Sequence, residues 1–373
     1  MRTGWRLISL RVVVVACFAT LVVGALSVSS SSSGSASSAV VGPASSGAVA
    51  QVSLPKTLEA WIYPSSAGQP ACDTSSELTA IAAHPIAILK PEYFYVSNGG
   101  QVVEETAADG LPCNGFSAAN LAKVRAAAKR IYVTVSAGSA GVAALLDTSA
   151  RRTAGEQAIE RFVSANDLNG VDLDFEPNQW DASDWHGFVS FMSAIATSFR
   201  GSGRTVEVDL DAFTRTPWDA ERYANVASAG AHLVVMAYDD EYAIPCAPIT
   251  PYAWLKAVTT YAKGQVPRSD LTIGIPSYGY FTTICSQIAH LTDNVAYVNM
   301  EMKPGFPTTT SAANAVRDPA SGELRWVSGG THYDVVDATA LNDKLAVVEY
   351  MGISDVSVWS LGGQPWFNGN PSR

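Results

Sequence analysis

The chain has 373 residues, 47% of them hydrophobic and 16% charged, which is enough apolar material for a large core and too little charge for a disordered chain. Its formal net charge is −10, and Arg2, Arg6 and Arg11 at the start leave the remainder more acidic still, so nucleic acid and anionic membranes are poor partners. Those arginines precede an apolar run from Val12 to about Val28, so residues 1–28 read as a signal peptide or an uncleaved signal anchor. Either form sends the protein out of the cytoplasm, secreted or tethered through this segment. Residues 29–53 are Ser, Gly and Ala with almost no large apolar groups, a composition that cannot offset its own ordering entropy and is read as a linker. Residues 54–373 are expected to form one folded unit. Cys17 belongs to the leader, and the four remaining cysteines, Cys72, Cys113, Cys246 and Cys285, favour disulfides over metal ligation in an exported chain.

From Leu54 onward β-branched and aromatic runs alternate with Ala-rich amphipathic stretches, the pattern of a parallel sheet covered by helices. Eight strands are predicted: 59–63, 86–96, 131–136, 170–176, 205–213, 232–239, 271–280 and 356–361. Helices are predicted over 118–129, 155–165, 183–200, 252–263 and 338–350. Eight such strands point to a closed (β/α)8 barrel, the TIM barrel. The long interval between the seventh and eighth strands predicts a small β-rich insertion around 296–334. Cys72 and Cys113 then follow the first two strands, and Cys246 and Cys285 follow the sixth and seventh, so neighbouring loops on one rim would pair Cys72 with Cys113 and Cys246 with Cys285.

The informative segment is Asn169-Gly170-Val171-Asp172-Leu173-Asp174-Phe175-Glu176-Pro177. In a strand its period of two puts Asp172, Asp174 and Glu176 on one face and Val171, Leu173 and Phe175 on the other. Like charges stacked inside a barrel push one another's pKa values apart, so some of these groups must hold protons. Glu176 stands last, at the carboxyl end where barrel enzymes gather their catalytic groups, and a Glu kept neutral there is suited to protonate a leaving oxygen. The bland alternative is a buried hydrogen-bonded network or a cation site. Pro177 stands where a calcium loop of the EF-hand type needs Gly, and no HExxH or paired Cys/His spacing occurs, so neither a metal nor another cofactor is expected.

NGVDLDFE resembles the DGxDxDxE signature of glycoside hydrolase family 18, the chitinase-like family. Three further segments resemble that family's later strands in the right order: Met236-Ala237-Tyr238-Asp239, Gly274-Ile275-Pro276-Ser277-Tyr278-Gly279, and Val358-Trp359-Ser360-Leu361-Gly362. The resemblance spans roughly Leu54 to Pro365, and the stretch from Pro248 to Tyr280 is most similar to the branch that includes spore-cortex and cell-wall N-acetylglucosaminidases. Two departures stand out. Asn169 replaces the opening Asp, and the fifth strand carries Asp209 and Asp211 where the family is commonly apolar.

The resemblance implies a substrate of β-linked N-acetylglucosamine units, in chitin or peptidoglycan, whose own acetamide acts as nucleophile. Glu176 would be the acid and then the base. Asp174 would stabilise the acetamide nitrogen, Asp172 would share a proton with Asp174, and Tyr238 would hydrogen-bond the acetamide oxygen. Asp239 would hold the sugar and Trp359 would form its apolar floor, with Trp61 and Tyr63 lining the groove and Trp180 and Trp218 as further candidates. Taken singly, Tyr238, Asp239 and Trp359 are equally readable as core tyrosine, loop residue and strand packing. A monomer is expected. The rival readings are a catalytically inactive lectin on the same barrel and a noncatalytic scaffold. The presence of Glu176 argues against the lectin.

Overall fold

The computed structural model describes residues 57–62, 86–106, 115–177, 179–214, 217–240, 246–282, 314–361 and 367. The predicted leader, the linker, Tyr63 and the cysteines Cys72, Cys113 and Cys285 lie outside them. Cys246 is disulfide-bonded. Its partner lies outside the described residues, so neither predicted pairing is tested.

Eight parallel strands close into a barrel: β1 (Thr57–Ile62), β2 (Ile86–Val96), β4 (Ala128–Gly138), β5 (Gly170–Glu176), β6 (Thr205–Asp211), β7 (His232–Met236), β8 (Leu271–Pro276) and β13 (Asp355–Leu361). Closure is made by β1, which pairs with both β2 and β13. A short β3 (Val102–Glu104) folds back antiparallel on β2. The intervening helices are α1 (Ala118–Ala127), α2 (Ser139–Leu146), α3 (Ser149–Ala165), α4 (Ala182–Arg200), α5 (Pro217–Ser228), α6 (Tyr252–Lys263) and α7 (Ala338–Tyr350). The predicted insertion is a four-stranded antiparallel sheet in the order β10 (Val316–Arg317), β11 (Leu324–Ser328), β12 (Thr331–Val335), β9 (Gly279–Thr282).

The barrel sorts its residues by strand parity. On β5, Val171, Leu173 and Phe175 point outward and are at most 2% exposed. Helix α4 covers them with Phe188 and Phe191, whose rings stack on Phe175 at centroid distances of 5.0 and 6.0 Å. That helix begins where Asp181 accepts a hydrogen bond from the Asp184 N–H at 2.7 Å, and it buries Trp185, Phe188, Phe191, Met192, Ile195 and Phe199 at helical spacing. Trp180 belongs to this layer. It stacks on Phe188 at 5.0 Å and is buried, so its expected place in a sugar groove is corrected to helix packing.

Gly170 is required by close approach: a Cβ there would stand 2.4 Å from the Thr205 carbonyl oxygen. Beside it, Asn169 Oδ1 accepts from the Ile131 N–H at 2.9 Å. Asn169 thereby ties β5 to β4 at the start of the strand, at the opposite end from Glu176.

Candidate active site

The inward residues of β5 meet their counterparts through register. Thr134 of β4 and Glu207 of β6 stand level with Asp172, Ser136 is level with Asp174, and Gly138 is level with Glu176. At the base, Asp172 is fully buried. Its Oδ2 accepts from Trp61 Nε1 at 2.9 Å and from Thr134 Oγ1 at 2.8 Å, and its Oδ1 lies 3.3 Å from Lys90 Nζ. Trp61 is thus spent on the ladder, only 1% exposed and edge-on to Trp359 at 5.7 Å. Its expected contact with sugar is corrected to support of Asp172.

Asp174 occupies the middle level. Burial, then the carboxyls of Glu92 and Asp172, push its pKa up to about 8, partly opposed by a hydrogen bond with Glu176. Glu176 ends the strand, crowded by protein on several sides yet open to solvent. The neighbouring Asp174 carboxyl, then desolvation, hold it well above the usual carboxylate range. The two side chains are hydrogen-bonded to each other, with Glu176 at the mouth of the barrel and exposed.

Tyr238 and Asp239 stand near Glu176. Tyr238 follows β7, half-buried, with its ring edge-on to Tyr278 at 6.1 Å. Gly274 makes room for it, since a Cβ there would approach the Tyr238 ring to 3.3 Å. Burial and then the Asp209 carboxyl drive the Tyr238 pKa up, so the phenol stays a donor. Asp239 adopts φ 67° and its Oδ1 accepts from the Tyr278 hydroxyl, which fixes the turn after Tyr238. Trp359, partly buried on β13, flanks Trp61, and the Trp359–Ser360 peptide is cis.

Asp209 and Asp211 on β6 divide between the barrel interior and its rim. Asp209 points inward, 1% exposed, and burial and then Asp172 raise its pKa well above the ordinary value. Asp211 lies exposed at the end of β6 and adds to the negative potential on Asp174 and Glu176. Sequence reasoning missed Glu59, Lys90, Glu92 and Glu207, which complete the barrel interior. Their signal was available: Lys90 and Glu92 stand two apart in an otherwise apolar run, and Glu207 extends the alternation of Asp209 and Asp211. Among the described residues no cluster of His, Cys, Asp or Glu is arranged to hold a metal ion.

The family model for "Glycosyl hydrolases family 18" matches residues 67–364. This chain belongs to glycosyl hydrolase family 18. Membership makes it a glycoside hydrolase of the chitinase-like type. Among curated relatives, YdhD of Bacillus subtilis, named for a sporulation-specific glycosylase, is 25% identical over 227 residues. That match covers 58% of this chain and about half of YdhD, 52%. The spore cortex-lytic enzyme SleL of Bacillus megaterium superposes with TM-score 0.63 at 14% identity over 87% of this chain and 73% of its own. A class V chitinase of Pseudomonas fluorescens gives TM-score 0.63 at 18% identity over 85% of this chain and 98% of its own. Both structures share the fold.

Proposed function

We propose that this family 18 enzyme cleaves β-linked N-acetylglucosamine glycans with retention of configuration, using the substrate's own acetamide as nucleophile. The observation that carries this reading is the hydrogen-bonded pair of carboxyls at the mouth, Glu176 open to solvent and Asp174 buried beneath it. Ordinary retaining enzymes place two carboxylates about 5–5.5 Å apart across the scissile bond. Asp174 and Glu176 are in direct contact on one side of it, with no room for a sugar between them, so Asp174 is badly placed to attack the anomeric carbon. An acetamide carbonyl held on the substrate supplies the missing nucleophile.

In this mechanism Glu176 gives its proton to the glycosidic oxygen as the acetamide oxygen closes on the anomeric carbon, forming an oxazolinium ion. Asp174, freed of its bond to Glu176, accepts the acetamide N–H and offsets the positive charge. Asp172 stays behind, held by the Trp61 and Thr134 donors and facing Lys90. The Tyr238 hydroxyl donates to the acetamide oxygen, and Trp359 gives the sugar ring a flat apolar face. Glu176 then takes a proton from water as the intermediate opens.

The relatives' names point to chitin and to spore cortex, and both polymers carry the acetamide the mechanism requires. Export through residues 1–28, a spacer over 29–53, and action as a monomer outside the cytoplasm complete the proposal. The deciding measurement is hydrolysis of a chromogenic N,N'-diacetylchitobioside beside the matching cellobioside, with wild type and Glu176→Gln. Cleavage of the acetamido sugar alone, lost at least about 100-fold in the variant, is the expected result. A Glu176→Gln protein with near-normal rate would sink the assignment, and binding without cleavage by wild type would return the lectin reading.

A further inference from the structure

The mechanism leaves Lys90 unused, although it sits at the centre of the barrel. Its side chain is 0% exposed, and its ammonium lies 2.5 Å from Glu207 Oε2, 3.0 Å from Glu59 Oε2 and 3.3 Å from Asp172 Oδ1. It also stands 4.5 Å over the Trp61 ring. Burial alone would strip its proton. The acids Asp172, Glu207, Glu59 and Asp209 outweigh that and keep it charged. Among the described residues no other lysine or arginine forms an ion pair with an acid of the barrel interior.

The cation reaches only the lower part of the ladder. Asp172 faces Lys90 with one oxygen and accepts from Trp61 and Thr134 with the other, and neither Lys90 nor the Trp61 indole can accept a hydrogen bond in return. One level up, Asp174 meets Glu92, Asp172, Glu176 and Asp211. Among the described residues Lys90 therefore meets the ladder at Asp172 and at no level above it.

We propose that Lys90 is a positioning residue for hydrolysis: it holds Asp172 as a fixed anion at the base of the ladder, so that the exchangeable protons stay with Asp174 and Glu176 at the substrate end. This inference rests on the glycosidase reading for its catalytic consequence and on the ion cluster alone for its electrostatic one. The groups facing the cluster include Glu59 and Trp61 from β1, Glu92 from β2, Tyr132 and Thr134 from β4, Asp174 and Glu176 from β5, Glu207, Asp209 and Asp211 from β6, His232 from β7 with Tyr238 just after it, and Asp355 from β13. Glu105 adds to Glu92 from beyond β3. His232 donates no charge at neutral pH, because burial and then Lys90 lower its pKa to about 4.

The test uses the full-length protein as wild type, Lys90→Met and Glu207→Gln. Each is followed by infrared titration of the protonated-carboxyl stretch, by the pH profile of kcat/KM on chromogenic N,N'-diacetylchitobioside, and by thermal melting. In Lys90→Met the cluster should bind one more proton near neutral pH, enlarging the carboxylic acid band. The acid limb of the profile should move upward by about one pH unit or more. The same variant should lower kcat roughly tenfold or more while KM stays within about threefold. Glu207→Gln removes an acid that competes for Lys90, so its band should shrink and its limb should move to lower pH.

Lower melting temperatures with band and limb unmoved in both variants would reduce Lys90 to a structural counter-ion and overturn the proposal. If Lys90→Met does not fold, the direction of the Glu207→Gln shift decides. If wild type fails to cleave the acetamido sugar, the glycosidase reading falls while the infrared titration still judges Lys90, and an unchanged band overturns it.

Discussion

Tyr238 is held as a neutral phenol by burial and by the acids below it, chiefly Asp209. A hydroxyl that cannot ionise in the working pH range is a dependable donor, and its value is greatest where charge develops on an acetamide oxygen during attack. Tyr238→Phe keeps the ring, its edge contact with Tyr278 and the space left by Gly274, and removes only that donor. The expected outcome is a kcat about 100-fold lower on the acetamido substrate with little change in KM, measured by steady-state kinetics. An equal rise in KM with kcat preserved would place the hydroxyl in ground-state sugar binding instead. Residues at this scale were legible in the sequence wherever a strand's period of two exposed a chemical row, as with Asp172, Asp174 and Glu176. Trp61 was not, because its type is shared by groove and core tryptophans. Only the bond from its indole N–H to Asp172 tells the two apart.

Among the elements, the antiparallel insertion is fastened to the barrel by a buried ion pair. Lys344 on α7 lies 2.7 Å from Glu323 Oε1, both fully buried. The ammonium also donates to the Thr250 and Ser321 carbonyls at 2.9 Å each, and the Glu323 carboxylate accepts from the Ile249 and Thr250 N–H groups at 2.8 Å each. One cluster thus joins α7, the start of β11 and the chain that returns from Asp239 toward α6. Lys344→Met leaves a buried carboxylate without its cation, and removing one partner of such a pair costs about 3–5 kcal/mol. Denaturant unfolding should show that loss, and Glu323→Gln combined with Lys344→Met should recover part of it. A loss below about 1 kcal/mol would mean that the pair is compensated locally. The sequence predicted an insertion here from interval length alone. Its fastening was invisible, because Glu323 and Lys344 are 21 residues apart and neither stands in a patterned strand.

At the scale of the whole molecule, the barrel inverts the usual arrangement of charge. Glu59, Glu92, Asp174, Glu176, Glu207 and Asp209 all have pKa values raised in the fold, burial being the first cause for each except Glu176, where Asp174 leads. A carboxyl whose folded pKa exceeds its unfolded one binds more protons folded than unfolded between the two values. Stability is therefore fully present below the unfolded pKa and falls as pH rises toward the folded one. For Asp174 that window runs from the ordinary value of 3.8 to about 8. His232, lowered to about 4 by burial, and Asp337, lowered by its bonds to Arg317, act in the opposite sense and lose stability as pH falls. The raised barrel carboxyls, joined by Glu104, Glu156, Asp184, Asp240 and Asp334, outweigh these two and predict a melting temperature higher near about pH 5 than near about pH 8, by about 5 °C or more at constant ionic strength. Asp174→Asn should flatten part of that slope by removing one titrating group from the window. A melting temperature that instead rises from acid to neutral pH, in wild type and variant alike, would mean that the interior acids are ionised in the fold and compensated by groups other than Lys90. The ladder could then not hold the proton that hydrolysis requires.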